Sequence, residues 1–181
     1  MTSFTKILLI LAAVVLLLVA SADSIFQRWR EQRLQEIHSK SMILETYLGK
    51  VEFADKRPQA PEEIKNSANL SQTPTVVVLH GGAGGYDQGL AVGDWLVNHN
   101  IRVLAISRPG YLQTPLQSGL FPEQQADLLA AFADKLSLPK PSLIAVAEAA
   151  PVALLAAWRY PNFFDKIILF SPIAIRRGFS E

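Results

Sequence analysis

Four short, mostly apolar runs after residue 74 each have the length and composition of a buried β-strand. They are TVVVL at residues 75–79, RVLAIS at 102–107, SLIAV at 142–146 and KIILFS at 166–171. Runs without an alternating polar face are typical of parallel strands that are covered on both sides. Segments with helical spacing of apolar residues separate them, and this alternation indicates βαβ units. The sequence therefore predicts an α/β fold with a mostly parallel sheet and helices on both faces.

Two further segments precede these strands. MILETYLGKVEFAD, from residue 42, alternates on both sides of Leu48, Gly49 and Lys50, and this pattern predicts an antiparallel hairpin. Residues 57–74 are polar, contain three prolines and are interpreted as a surface loop. The expected sheet therefore begins with an N-terminal hairpin.

The N-terminus carries an uncharged run, ILLILAAVVLLLVASA, at residues 7–22. Its sixteen residues fall short of the about 20 that span a bilayer. No Pro or Gly occurs before Tyr47, however, so a helix can continue beyond the run. We expect residues 1–40 to form an N-terminal hydrophobic helix with a solvated stalk, and residues 41–181 to form a separate domain.

Two interpretations of this N-terminal helix stay open, with a soluble buried helix as a third. As an uncleaved single-pass anchor it would place the chain at a membrane. As a signal peptide it would be cleaved after the small residues Ala20, Ser21 and Ala22, leaving a secreted or periplasmic protein. The positive charges at Lys6 and in the stalk give opposite indications of orientation.

Composition excludes several functional classes. The net charge is +1, with no basic stripe, so we expect no nucleic-acid partner. The absence of cysteine excludes disulfides, thiol nucleophiles and cysteine metal sites. The histidines and carboxylates show no ligand spacing, so the sequence indicates neither a metal nor another cofactor.

A glycine-rich loop, HGGAGGYDQG, directly follows the first buried run. It does not fit the dinucleotide motif, because Asp87 stands at the third glycine position, or the P-loop motif, because Leu90 stands at the lysine position. His-Gly-Gly after a strand is typical of an oxyanion hole, in which backbone N–H groups stabilise a developing alkoxide. A tight turn without function is the alternative. The candidate oxyanion-loop residues are His80, Gly81, Gly82, Gly84 and Gly85.

Several motifs in the same order resemble the α/β-hydrolase family. They are PTVVVLHGGAGGYDQG, SRPGYLQTPL, the helix containing QQADLLAAF, LIAVAEAAPVALLAAWRYP and IILFSP, within residues 42–172. The similarity is greatest to membrane-anchored bacterial members with an HGxGG oxyanion loop. The resemblance implies a serine hydrolase of esters or amides, with its nucleophile in G-x-S-x-G and an acid and a histidine base later in the chain.

The sequence departs from that pattern at the nucleophile. Aligning LIAVAEAAP with the motif puts Ala145 and Ala149 at the glycine positions and Ala147 at the serine. All three histidines precede this segment, and the sequence stops at Glu181 before the family's acid and base. We therefore expect an incomplete α/β-hydrolase fold that lacks a triad and is catalytically inactive. The alternatives are a fragment of a hydrolase or a divergent one, and a non-enzymatic binding or scaffold module.

Glu148 follows the missing serine, where the family uses the backbone N–H as its second oxyanion donor. We hypothesise that the Glu148 carboxylate caps its own helix or occupies the empty hole. An alanine at positive φ costs about 1 kcal/mol, so the turn at Ala147 is expected to relax.

The remaining expectations concern the surroundings of this segment. His80 is expected to bond the loop backbone rather than act as a base, and Arg108 and Tyr111 border the expected ligand crevice. Trp95, Phe132 and Trp158 are expected in the core. The 166–171 strand is expected to leave an apolar sheet edge, through which the chain could form homo- or hetero-oligomers.

Overall fold

The structure is a computed structural model that describes residues 2–59 and 73–173. Most of the predicted 57–74 loop, and the residues after 173, therefore lie outside the described residues. The chain divides into two compact units, Met1–Lys40 and Ser41–Glu181.

The first unit is one long helix, α1 (Ser3–His38), of 36 residues. It runs without interruption because the segment holds no Pro or Gly, and at 1.5 Å per residue it is about 54 Å long. None of its residues is buried, and its most apolar stretch has a mean hydropathy of 2.6. By length and composition α1 could cross a membrane, a property that N-terminal signal sequences share.

The second unit is built on a mixed sheet that has six strands within the described residues. The strands are β1 (Met42–Thr46), β2 (Gly49–Lys56), β3 (Thr75–Leu79), β4 (Arg102–Ile106), β5 (Ser142–Val146) and β6 (Ile167–Phe170). Their order in the sheet is β1-β2-β4-β3-β5-β6. Strand β1 pairs antiparallel with β2, β2 pairs antiparallel with β4, and the remaining neighbours are parallel. From β3 the chain continues to β4 on one side and then crosses to β5 on the other side, so β3 lies at the point where the strand order switches.

Helices cover both faces of this sheet, as predicted. Helix α2 (Tyr86–Gly93), which continues into a 3-10 segment (Asp94–His99), lies on one face, where Gly89 contacts β3 and β4. Helices α3 (Pro122–Lys135) and α4 (Ala150–Arg159) pack together on the other face. Pro122 occupies the first turn of α3, where its missing N–H costs nothing.

The main core lies between the sheet and the α3–α4 pair. Phe132 is fully buried there, as predicted, and packs edge-on against Phe53 at 5.2 Å. The prediction that Trp95 and Trp158 are core residues is wrong, because their side chains are 59% and 77% exposed. Trp158 lies on the face of α4 opposite the buried Ala153 and Ala156. The spacing of apolar residues along the helix therefore did not show that Trp158 is on the exposed face.

Candidate functional site

The candidate site lies where the carboxyl ends of β3, β4 and β5 meet. The Arg108 N–H donates to His80 Nε2 at 2.9 Å, which joins the loop after β4 to the loop after β3. The Gly82 N–H donates to Glu148 Oε2 at 2.9 Å, which joins the loop after β3 to the turn after β5. The Tyr111 hydroxyl donates to the Gly82 carbonyl at 3.2 Å. The structure therefore brings the predicted loops together at the edge where ligands of open α/β sheets bind.

The turn after β5 keeps a left-handed backbone at Ala147, with φ +48°. The expectation that this turn relaxes is therefore wrong. Val146, the last residue of β5, precedes the turn in an extended conformation, and the buried Ala149 directly precedes α4. Ala145 and Ala149 are both fully buried against the core, so strand and helix together impose the strained residue between them.

The side chain presented by this turn is a methyl group. A Cβ placed on Gly81 would lie 3.4 Å from the Ala147 Cβ, so the methyl faces the glycine loop. Alanine has no lone pair and no ionisable proton, and it cannot form a covalent intermediate.

The Glu148 carboxylate lies over the same loop. A Cβ on Gly82 would be 3.3 Å from its Cδ and from both of its oxygens, so only glycine allows this approach without displacement. Its side-chain hydrogen bond runs to Gly82 rather than to the first turn of its own helix. We hypothesised that Glu148 either caps its own helix or accepts from the glycine loop, and the observed hydrogen bond is of the second kind.

Two other N–H groups of the glycine loop are bound to side chains of α2. The Gly81 N–H donates to Gln88 Oε1 at 2.8 Å, and the Gly85 N–H donates to Asp87 Oδ1 at 3.0 Å. The Gly82 N–H points instead to the β5 turn. All five candidate loop residues, His80, Gly81, Gly82, Gly84 and Gly85, lie between β3 and α2.

His80 is a structural brace. Its ring is fully buried, with Nδ1 2.7 Å from the Gly81 carbonyl while Nε2 accepts from Arg108 N–H, so the proton resides on Nδ1. The pKa of His80 is lowered to about 4, mainly because burial disfavours the imidazolium; the Gly81 carbonyl and Asp87 oppose this lowering, and the Arg108 charge adds to it. A neutral ring with both nitrogens bonded to the backbone is not arranged to accept a proton from a nucleophile.

Arg108 and Tyr111 border the site, and their contacts fix the loops. Arg108 Nε donates to Gln125 Oε1 at 3.2 Å, and the Tyr111 ring packs edge-on against His80 at 4.6 Å. Burial lowers the pKa of Arg108, while the Tyr111 and Glu148 side chains oppose that lowering.

Sequence reasoning missed a buried carboxylate, Glu52, on β2. It is fully buried and accepts hydrogen bonds from Ser41 Oγ (2.8 Å), Ser107 Oγ (2.8 Å), Gln113 N–H (3.0 Å) and Gln113 Nε2 (2.9 Å). The hairpin pattern assigned Glu52 to a polar face, whereas this part of β2 is buried on both faces. Ser107 and the Gln113 loop reach Glu52 because they follow β4, the antiparallel partner of β2.

Ser107 lies beside the glycine loop, but its contacts are not those of a nucleophile. Its Oγ accepts from Tyr86 N–H at 3.0 Å and donates to Glu52, and the residue is fully buried. Both nitrogens of His80 bond to other atoms, so Ser107 and His80 do not form a nucleophile–base pair. Within residues 2–59 and 73–173, no three His, Asp or Glu side chains are grouped as a metal site would require.

Comparisons with known proteins agree with this architecture. No protein-family model matches the sequence, and no curated protein matches it significantly. Solved structures do match. An α/β-hydrolase fold protein from Nakamurella multipartita is 29% identical with a TM-score of 0.67, over 77% of this chain and 44% of that chain. A membrane phospholipase A described as a bacterial virulence factor is 17% identical with a TM-score of 0.65, over 97% and 55%.

A thermophilic esterase from Thermogutta terrifontis is 19% identical with a TM-score of 0.56, over 77% of this chain and 48% of that one. The chain therefore spans about half the length of the structures it matches. The chain has the α/β-hydrolase fold, over the described strands and helices of residues 41–173.

Proposed function

We propose that this chain is a membrane-anchored protein of α/β-hydrolase fold whose own residues do not catalyse hydrolysis. The observation that carries the proposal is Ala147, whose methyl group stands on a left-handed turn beside the glycine loop. In the hydrolases that the sequence resembles, the corresponding position is the serine nucleophile.

Two further contacts support inactivity. The Gly82 N–H, which points to the β5 turn, is already bonded to the Glu148 carboxylate. The one histidine at the site is neutral at pH 7, and its two nitrogens bond to backbone groups. Acyl transfer needs a heteroatom nucleophile, a base in reach of it and donors open to the oxyanion.

The anchor part of the proposal rests on α1, within residues 1–40. The alignment with the membrane phospholipase A covers 97% of this chain, so it extends over residues of α1. Aromatic Phe26 and Trp29 stack at 5.9 Å just after the apolar run, where interfacial aromatic side chains are common. A cleaved signal peptide stays the alternative, and residues 41–181 form the proposed hydrolase-like domain in either case.

A second candidate is a hydrolase of ester or amide substrates that needs elements beyond these residues. It is favoured by the left-handed turn that Ala147 retains beside the glycine loop, at the position of the nucleophile in the hydrolases that the sequence resembles. A binding or scaffold module that uses the same crevice would also retain it.

Turnover assays test the proposed inactivity. The full chain, purified in neutral detergent, is incubated with short-chain p-nitrophenyl esters and, separately, with a fluorophosphonate label. We expect hydrolysis at the rate of the blank and no labelling of the native chain. Turnover by the native chain that a serine-directed inhibitor abolishes would overturn the proposal.

The anchor is tested by expressing the full chain and extracting membranes with alkaline carbonate. We expect the protein to stay in the membrane pellet with its N-terminal peptide present by mass spectrometry. Release into the soluble fraction with a new N-terminus after Ala22 would establish the signal-peptide alternative instead.

A further inference from the structure

We propose that two neighbouring loops at the carboxyl end of β4 insert into the surface of a lipid bilayer and give the domain a membrane contact in addition to α1. The loops are the β1–β2 turn and residues 109–121, which connect β4 to α3. The inference rests on the anchor part of the proposed function, because α1 is what brings a membrane within reach. It does not depend on whether the chain hydrolyses a substrate.

The first support is a group of apolar side chains that are exposed to water. Tyr47, at the β1–β2 turn, is 78% exposed, and Phe121, at the start of α3, is 58% exposed. Single exposed apolar residues need no explanation, whereas a group of them on one surface is typical of a docking site for a protein or a membrane. The exposed large apolar side chains of the two loops are Tyr47, Leu48, Leu112, Leu116, Leu120 and Phe121.

The two loops are held against each other. Ser118 Oγ donates to the Lys50 carbonyl at 2.9 Å, and the Glu52 N–H donates to Thr114 Oγ1 at 2.8 Å. A Cβ placed on Gly49 would lie 2.9 Å from the Ser118 Cβ, so the β1–β2 turn lies directly against the 109–121 loop. The apolar side chains of the two loops therefore lie on neighbouring parts of one surface.

Neither loop carries a charged side chain. No Asp, Glu, Lys, Arg or His occurs at residues 46–49 or 109–122. Glu45 and Lys50, on either side of the β1–β2 turn, form an exposed ion pair at 3.0 Å. An uncharged surface enters the apolar part of a bilayer without the cost of removing water from an ion. The absence of charge therefore favours a lipid partner over an acidic or basic protein.

Backbone groups beside the exposed side chains already have partners. The N–H groups of Leu120 and Phe121 both donate to Gln124 Oε1, at 2.8 and 3.2 Å. The Gly119 N–H donates to the Leu116 carbonyl at 3.1 Å. Lipid offers no water to replace a missing hydrogen-bond partner, so a segment that enters it must satisfy its backbone internally. These apolar side chains stand on backbone that meets that requirement.

The chain enters the domain at the same end of the sheet. Met42, the first residue of β1, pairs with Phe53, and Phe53 pairs with Ile106, the last residue of β4. The β1–β2 turn therefore lies beyond the carboxyl end of β4, from which the 109–121 loop also starts. Only residues 39–41 separate α1 from β1. The connection to the anchor helix and the apolar loops thus share one end of the sheet, which favours a lipid surface over a soluble protein as the partner.

Fluorescence quenching by lipids tests the proposal. The chain has no cysteine, so a single Cys substitution can be labelled with the environment-sensitive dye NBD. The full chain is reconstituted into phosphatidylcholine vesicles that contain spin-labelled lipids, which quench only dyes that reach the bilayer. We expect quenching and blue-shifted emission for dyes at Tyr47→Cys and Leu120→Cys. Trp158→Cys is the matched control, because Trp158 is 77% exposed near the end of α4 and its dye should stay in water.

A second variant tests whether the two loops act together. With the dye at Tyr47→Cys, adding Leu120→Gln and Phe121→Gln should lower the ratio of docked to undocked domain about tenfold, because the insertion energy scales with apolar area. Leu154→Gln, on the exposed face of α4, is the control and should leave the ratio unchanged. High salt should also leave it unchanged, because the surface carries no charge to screen.

Three outcomes would overturn the inference. They are unquenched dyes at both loop positions while the chain migrates with the vesicles in a density gradient, equal quenching at Trp158→Cys, and a blue shift that depends on protein concentration but not on the lipid quencher. The last outcome would mean that the loops meet another protein molecule instead. A chain that does not migrate with the vesicles would overturn the anchor as well, so the two failures are distinguishable.

Discussion

The Ser107 hydroxyl donates to the Glu52 carboxylate at 2.8 Å in a part of the sheet that solvent does not reach. The same carboxylate accepts from Ser41 and twice from Gln113. It therefore ties the start of the hairpin to the loop that carries Arg108 and Tyr111. Four donors satisfy the charge where no Lys or Arg of the described residues forms a salt bridge with it.

Replacing Glu52 by Gln should lower the free energy of unfolding by about 2 kcal/mol, because an amide NH2 would face donors that need an acceptor. Chemical denaturation of the full chain in detergent measures the change. Glu45→Gln is the control, since Glu45 forms only an exposed ion pair with Lys50 and should change stability by less than about 0.5 kcal/mol. Equal effects of the two substitutions would contradict the assigned role.

His80 should make stability fall as the pH drops from about 6.5 to about 4. The folded pKa is about 4 because burial disfavours the imidazolium. The unfolded value is about 6.5, so the unfolded chain binds the proton first. The stabilisation is thus fully present above pH 6.5 and is lost as the pH falls through the folded pKa, by about 3 kcal/mol in all. Denaturation midpoints at several pH values measure it. His80→Gln should flatten the curve in this window, and an unchanged slope in that variant would count against the prediction.

The strained turn predicts opposite effects of glycine at two nearby alanines. Ala147→Gly should stabilise the chain by about 0.5 kcal/mol, because relief of positive φ exceeds the added entropy of the unfolded chain. Ala149→Gly should destabilise it by about 1 kcal/mol, since Ala149 is buried with φ −79°. Thermal unfolding of both variants checks the sign. Destabilisation by both would mean that the turn carries no strain.

The sheet edge at β6 predicts self-association of the 181-residue chain. In the described residues β6 pairs with β5 alone, and Ile168 and Phe170 are 47% and 58% exposed. They line an apolar groove of about 550 Å³ together with Trp95 and Ile144. Exposed apolar edges favour strand pairing between molecules.

Sedimentation velocity in density-matched detergent should show concentration-dependent oligomers. Ile168→Lys should reduce the association, and Tyr47→Lys, at the exposed turn next to the opposite edge strand, should not. A monodisperse native monomer over the whole concentration range would refute the prediction.

The parallel strands and the convergence of their loops were predictable because runs such as Thr75–Leu79 encode burial on both faces locally. The alanine at the position of the family's nucleophile was also readable, since it depends only on the identity of residue 147. The surroundings of Glu52 were not readable, because its donors come from positions up to 61 residues away. The backbone of Ala147 escaped prediction for a related reason: its φ is imposed by packing on both sides rather than by its own preference.

The left-handed turn at Ala147 has an evolutionary consequence. Alanine and serine codons differ by a single nucleotide, and the backbone that would present a serine hydroxyl is already in place. An Ala147→Ser substitution would therefore change one side chain without rebuilding strand or helix. Glu148 would still stand beside the reacting carbon, and its charge would repel the oxyanion until that residue had mutated as well.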